Sequence, residues 1–209
     1  MNESILQRFV AKTYQNPFLL SKRFLNATPF SHIVLKGFLR SHQAKLLKRG
    51  IIKENFTHKS ADLFSFSQTQ DFKGLSRSPQ ALLEFYEFMK SPELISYISQ
   101  VTTTKLYSTI DMAGSIYRKG DYLLPHDDRL EGRAIAYILN LSDHFSSKDG
   151  GELSLFYSRN SHPTKIAKKI IPSFNTMTLF KVSSTSFHQV NEVLTNKPRI
   201  SIGGWFHAD

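Results

Sequence analysis

Apolar positions along this chain change their period near residue 102. Before that point they fall at helical spacing. Ile5, Phe9 and Val10 share one face, and "SHQAKLLKRG" opens on Ser41 as a cap and closes at Gly50. "SPQALLEFYEFMK" is the clearest helix: Ser78 is placed to cap it, Pro79 suits the first turn, and Leu82, Leu83, Phe85, Tyr86 and Met89 form a broad apolar face. "SPELISYISQ" repeats the Ser-Pro opening at Ser91 and Pro92. From Thr102 onward the runs are short and rich in β-branched and aromatic residues: "KLYSTIDMAGSIYRKGDYLLPH", "RAIAYILNL", "GELSLFY", "TMTLFKVS", "TSFHQV" and "RISIGGWFH". Turn signals such as Asp149-Gly150-Gly151 separate them. The pattern predicts a largely helical part over about 1–100 and a β part over about 102–207. That makes a mainly β fold, a sandwich or barrel with the N-terminal helices packed outside.

Composition narrows this picture. The 209 residues, 40% hydrophobic and 21% charged, suit one well-buried core, and no Pro/Gly/Ser linker divides them, so a single domain over 1–209 is expected. With no cysteine in the sequence, any metal must be held by His and carboxylate. The net charge of +10 is concentrated at the front, where Glu3 is the sole acid between Met1 and Lys53. Three readings of that stretch stay open: a transit-like leader, a polybasic face for RNA or ribosomes, and a solvated surface. No apolar run approaches the roughly 18 residues that span a bilayer, so no membrane is expected as a partner. The expected setting is intracellular and cytoplasmic, with the nucleus open for a eukaryotic host.

Chemistry concentrates in "YLLPHDDRLEGRAIAYILNL", residues 122–141. A surface turn accommodates His126, Asp127 and Asp128, because Asp, Pro125 and Gly132 are all turn residues. The alternative places His126 and Asp128 on one side of a strand end, as two ligands of a facial triad of two imidazoles and one carboxylate. "SSTSFHQVNEV" then offers His188 as the third ligand, at the C-terminal part of another strand. "KPRISIGGWFH" adds Arg199, with Ser201 on the same face, a guanidinium and hydroxyl suited to a dicarboxylate's far end. Asp127 and Glu131 read as turn residues. Arg129 and Arg133 either flank a substrate path or belong to a solvated turn. Leu123, Ile138, Leu155, Phe187 and Trp205 are candidate pocket walls, with ordinary core packing as the other reading.

These same segments, together with "ADLFSFSQTQDF" and "TTTKLYSTIDMAGSIYRKGDYLL", resemble the catalytic domain of the 2-oxoglutarate- and iron-dependent ribosomal prolyl hydroxylases, from about Pro29 to His207. The resemblance implies a double-stranded β-helix, the jelly-roll or cupin-like fold. It implies His126, Asp128 and His188 as catalytic iron ligands, Arg199 as the anchor of the distal carboxylate of 2-oxoglutarate, and Tyr117 as a wall of the co-substrate pocket. The cofactors implied are Fe(II), with 2-oxoglutarate and O2 as co-substrates and ascorbate open as an accessory reductant. The partner implied is a protein substrate, a small-subunit ribosomal protein or a translation factor, and the oligomeric state is left open.

Two departures stand out. The eukaryotic family members carry a second, non-catalytic double-stranded β-helix domain, which the sequence to Asp209 does not include, and Asn140 occupies a position where the family tends to have Tyr. Alternation in "RAIAYILNL" puts Ala136, Ile138 and Asn140 on one face, so Asn140 is expected to bind the co-substrate or to be satisfied by backbone. Substrate contacts are expected from Arg129, Arg133 and Trp205. The competing functions are the same oxygenase chemistry on another target, such as nucleic acid held by the basic front, and a catalytically silent β-barrel binding module.

Overall fold

The computed structural model describes residues 3–72 and 78–208. Among them are helices α1 (Ile5–Phe9), α2 (Pro17–Leu25), α3 (Ser41–Ile51), α4 (Gln80–Met89) and α5 (Pro92–Thr102). The strands are β1 (His32–Lys36), β2 (Thr57–Ala61), β3 (Phe64–Gln68), β4 (Ile110–Tyr117), β5 (Tyr122–His126), β6 (Arg133–Asn140), β7 (Leu153–Arg159), β8 (His162–Ile170), β9 (Thr176–Lys181), β10 (His188–Val190) and β11 (Arg199–His207). They join into one curled antiparallel sheet in the order β1-β9-β6-β11-β4-β3-β5-β10-β7-β8, with β2 paired to β3. This is the mainly β, double-stranded β-helix architecture with helices outside that the sequence implies.

Alternation along the strands separates two faces. Ile135, Tyr137 and Leu139 of β6 join Met177 and Leu179 of β9 and Ile200, Ile202 and Phe206 of β11 in one apolar cluster with Phe24, Leu47, Phe85, Phe88 and Ile98 from the helices. Burial of that outer face against helices drives the assembly, at about 25 cal/mol for each Å² removed from water. The intervening residues point inward, and register aligns them into rows. Ser115, Ser201, Asn140 and Thr176 are successive cross-strand partners on β4, β11, β6 and β9, and Asp111, Trp205, Ala136 and Phe180 form another such row. One row is polar and the other largely aromatic and apolar.

Several local expectations need correction. Among the described residues, the first hundred positions hold three strands besides helices: β1 adds to the main sheet through β9, and β3 bridges β4 and β5. These five-residue segments are too short for periodicity to reveal, and β2 is exposed at every position. Ser41 does not cap α3, whose N-cap is Arg40, and Gly50 lies inside that helix. Pro79 is the N-cap of α4, and the Ser78 hydroxyl is buried without a partner. The device at Ser91 and Pro92 is present as read, with the Ser91 hydroxyl accepting from the Leu94 amide. Strand β8 was not anticipated because "HPTKIAKKI" carries Pro163 and three lysines, features that suit the sheet edge it occupies.

Candidate metal and co-substrate site

Strands β5 and β10 lie antiparallel with His126 and His188 as direct cross-strand partners, so their rings stand 4.2 Å apart, centroid to centroid. His188 is therefore the first residue of its strand and not part of its C-terminal end. Asp128 reaches the same point differently from the strand alternation expected of it. The chain has left β5, and Asp128 adopts the left-handed conformation at φ 62°, which turns its carboxylate back toward both imidazoles. Its oxygens lie 3.3 Å from His126 Nε2 and 3.2 Å from His188 Nε2. One ligand atom from each of the three residues falls within 4.8 Å of the others.

Hydrogen bonding sets the state of both rings. His126 Nδ1 donates to the Leu124 carbonyl and His188 Nδ1 to the Ser186 carbonyl, each at 2.8 Å. In a neutral ring the proton is thereby placed on Nδ1, and Nε2 presents a bare lone pair to a carboxylate oxygen. Two such lone pairs facing a carboxylate repel unless a cation lies between them. A proton can serve, and so can a divalent metal. Burial works to lower the His126 pKa, but the hydrogen bond and charge of Asp128 outweigh it, so the pKa is raised. Burial likewise opposes ionisation of Asp128, yet the His188 charge and the hydrogen bonds from both imidazoles hold its carboxyl well below the usual range. Two nitrogen donors and one oxygen donor on one side of a common point fit iron with open positions. The Phe180 ring packs against His188 at 4.5 Å.

Arg199 begins β11 opposite Tyr117 on β4 and is 1% exposed. Its Nε donates to the Gly151 carbonyl at 2.9 Å, and Nη1 reaches Ser201 Oγ at 3.4 Å. Its guanidinium carbon lies 5.0 Å from the centre of the Tyr117 ring, and the Phe66 ring stacks on Tyr117 at 4.9 Å. Gly151 sits at φ +66°, and a Cβ there would come within 3.3 Å of Arg199 Cδ, so the turn both accepts from the guanidinium and leaves room for it. Burial pulls the Arg199 pKa down and pushes the Tyr117 hydroxyl up to about 12. Among the described residues no carboxylate pairs with Arg199, which leaves a buried cation facing a cavity without its anion.

That cavity, about 500 Å³, is lined by His126, Asp128 and His188, by Arg199, Ser201 and Tyr117, and by Arg133 and Trp205. Of the expected walls, Leu123, Ile138 and Trp205 line it. Leu155 and Phe187 do not, because they sit outside the lining shell, Leu155 within a buried cluster behind it. Arg129 is turned away and tied to Asp127 at 2.8 Å, which makes that pair part of the turn. Asn140 stands beside Ser201 on the inner face but does not line the cavity. Its Oδ1 is buried without a partner, as are the hydroxyls of Thr176 and Thr178. Sequence reading missed Phe180, Phe66, Ser115 and Asp111, which also line the cavity; only strand register brings them there.

The 2OG-Fe(II) oxygenase superfamily model matches residues 112–207. The chain is 38% identical over 187 residues to the prolyl 3-hydroxylase OGFOD1 of Xenopus laevis, covering 88% of this chain and 36% of that protein. It is 39% identical over 204 residues to the prolyl 3,4-dihydroxylase OGFOD1 of Ostreococcus tauri, covering 88% of this chain and 39% of the relative. The chain thus spans less than two-fifths of the length of these curated relatives. Among solved structures, a prolyl-4-hydroxylase of Pseudomonas putida superposes with TM-score 0.73 at 16% identity, covering 91% of this chain and all of that one, a likeness of fold. Sequence kinship over most of the chain, the shared fold and a triad beside a buried arginine agree with one another: residues 112–207 match the 2OG-Fe(II) oxygenase superfamily.

Proposed function

We propose that this chain is a 2-oxoglutarate- and Fe(II)-dependent prolyl hydroxylase, with residues 1–209 acting as one catalytic unit. The observation that carries the reading is the buried, carboxylate-free Arg199 opening into the same cavity as His126, Asp128 and His188. A dicarboxylate supplies the missing anion, and the guanidinium fork can take its distal end in two parallel hydrogen bonds. His126, Asp128 and His188 would hold the iron. Bound there, Fe(II) supplies the redox chemistry that couples oxidative decarboxylation of the 2-oxo acid to transfer of one oxygen atom of O2 into a C–H bond.

The protein's own contribution is positional. The Leu124 and Ser186 carbonyls fix both imidazole tautomers, and Phe180 keeps His188 from swinging. Tyr117, in contact with both Phe66 and Arg199, closes one wall of the co-substrate pocket, and Ser201 adds a hydroxyl beside the guanidinium. Asn140, with a buried Oδ1 that has no partner, stands beside Ser201. The part of the cavity lined by Arg133 and Trp205 is left for the target.

The relatives named prolyl 3-hydroxylase and prolyl 3,4-dihydroxylase support proline as the modified residue. The resemblance to ribosomal prolyl hydroxylases supports a small-subunit ribosomal protein or translation factor as the partner, in the cytoplasm. No helix among the described residues is long and apolar enough to cross a membrane. Mass spectrometry of ribosomal proteins from the host, with and without the gene, tests the target. The reading expects one prolyl peptide to lose an added oxygen in the deletion; unchanged prolyl peptides throughout would remove the ribosome as its substrate.

A further inference from the structure

Arg199 is anchored by a carbonyl from a turn far away in sequence, and one carboxylate holds that turn. Gly150 and Gly151 lie between β6 and β7 at φ +71° and +66°. A Cβ at Gly150 would overlap the Glu192 carbonyl oxygen, so the turn packs directly on the segment between β10 and β11. Backbone hydrogen bonds lace the two together: the Gly151 amide donates to the Glu192 carbonyl at 3.0 Å, Leu194 to Asp149 at 2.9 Å and Asn191 to Glu152 at 2.9 Å. At the other end of the same loop, Ser142 Oγ accepts from the Ile200 amide at 2.8 Å. Residues 142–151 thus clasp the start of β11 from both ends, with Gly151 on Arg199 and Ser142 on Ile200.

Asp149 ties this clasp. It is buried, and both of its carboxylate oxygens are in use. Oδ2 accepts from the amide and the hydroxyl of Ser146, each at 2.8 Å, which closes the turn that Asp149 belongs to. Oδ1 accepts from Thr195 Oγ1 at 3.2 Å and pairs with Lys197 Nζ at 3.0 Å. Closing the turn at 146–149 does not need those last two contacts. They join it to residues 195–197, the stretch of chain that leads into Arg199. Lys197 also donates to the His144 carbonyl at 3.1 Å, a second tie between the same two segments. The Ser146 hydroxyl and Lys197 hold the Asp149 carboxyl well below the usual carboxylate range, so it is ionised near neutrality. Lys197 takes up that charge and leaves none of it for Arg199.

We infer that Asp149 is a positioning residue for the co-substrate: by fixing the Gly151 carbonyl against Arg199 Nε, it sets the plane of the guanidinium and the direction in which the Nη groups meet a dicarboxylate. The inference deepens the 2-oxoglutarate reading and rests on it. A guanidinium holds a carboxylate through two parallel hydrogen bonds only when the two planes match. Little else restrains that plane. Nε donates to Gly151 at 2.9 Å, a full-strength length, whereas Nη1 reaches Ser201 Oγ only at 3.4 Å. Phe145 and Val193, which a Cβ at Gly151 would meet at 3.3 and 3.1 Å, belong with Tyr117 to one buried cluster, so the turn also packs against the Tyr117 wall. A turn released from Asp149 leaves Arg199 buried but lets its fork rotate, and that freedom is lost again each time the co-substrate binds.

The test uses the whole chain loaded with Zn(II), which is redox-silent, and compares the wild type with Asp149→Ala and the milder Asp149→Asn. Calorimetric titration with 2-oxoglutarate is expected to show binding weakened about tenfold in Asp149→Ala, the factor of one hydrogen bond, and about threefold in Asp149→Asn, which keeps an acceptor for Ser146 but no charge for Lys197. Zn(II) affinity is expected to stay within about twofold of the wild type, because the triad is untouched; a general loosening of the fold would weaken both ligands together. A 15N-labelled sample adds a readout that needs no ligand. The Arg199 Nε proton, identified by its loss in Arg199→Lys, is expected to exchange with water about tenfold faster in Asp149→Ala. Asp149→Asn carries the same three readouts if Asp149→Ala melts too low to assay. Equal 2-oxoglutarate affinity in wild type and variant, Zn(II) binding that falls in step with it, or unchanged Nε exchange each overturn the inference. A wild type that takes up Zn(II) but no 2-oxoglutarate overturns it together with the co-substrate reading beneath it, so the wild-type titration tells the two failures apart.

Discussion

Both ligand imidazoles have their Nδ1 protons committed to backbone carbonyls, and that commitment makes metal binding a competition with protons at Nε2. Because Asp128 raises the His126 pKa above its ordinary 6.5, protons hold the site more firmly than they would a lone histidine. The sign follows: below that pKa the proton stabilises the metal-free form, and as pH rises through it the proton is lost and metal affinity grows. A Zn(II) titration across pH 5.5 to 8.5 should show tightening with pH and proton release on binding; affinity independent of pH would contradict this account. His188→Ala or Asp128→Ala removes one of three ligands and should abolish stoichiometric metal binding at pH 7.5. Arg199→Met tests the buried cation. Metal-free melting should not fall, since an uncompensated charge is removed. The rise of about 5–10 °C that saturating 2-oxoglutarate gives the wild type, from some 2.7 kcal/mol of linkage at a hundredfold excess, should vanish. Asn140→Leu should raise the Michaelis constant for 2-oxoglutarate by about two- to tenfold, the range of one net hydrogen bond, without lowering the melting temperature. Unchanged kinetics would take Asn140 out of the co-substrate site.

Among elements, β11 carries most of the site, because one strand supplies Arg199, Ser201 and Trp205 on its inner face while its outer residues pack on helices. Close pairing makes that possible. At Gly204 a Cβ would stand 1.9 Å from the Asp111 carbonyl oxygen of β4, a backbone atom that cannot give way without opening the ladder. Gly204→Ala should therefore cost about 3 kcal/mol or more, near the top of the range for single substitutions, and lower melting by roughly 10 °C. A loss of only a degree or two would mean β4 and β11 can separate locally. The same strands show what sequence makes readable. β11 and β6 carry long alternating runs that fix which side chains share a face, and the Arg199–Ser201 pair follows from that alternation. Strands β1 to β3 could not be read this way, since five residues of mixed polarity give no period, and their place depends on partners far along the chain. The left-handed turn at Asp128 was equally invisible: His-x-Asp looks like a strand pattern, and only tertiary contact with two imidazoles stabilises the turn.

For the molecule as a whole, the double-stranded β-helix was legible because helix-period residues precede strand-period residues and the triad spacing resembles a known family. The surface was less so. The basic front left a leader, a polybasic face and a solvated surface all open, and here Arg8 pairs with Glu84, Arg40 with Glu3 and Lys48 with Asp143, partners that lie far away in sequence for two of the three. Exposed pairs of this kind are worth little to stability, but they lower the charge available to a nucleic acid. The cavity is the feature that unites the scales, since residues from β4, β5, β10 and β11 and the turn at Asp128 meet there and nowhere else in sequence. The most direct test of the account is succinate formation from 2-oxoglutarate by the purified chain with Fe(II) under air, measured beside Asp128→Ala at equal metal and protein. The account predicts steady succinate release by the wild type, dependent on both iron and oxygen, and none above background from the variant. Wild-type protein that forms no succinate, or a variant that forms it equally well, would contradict it.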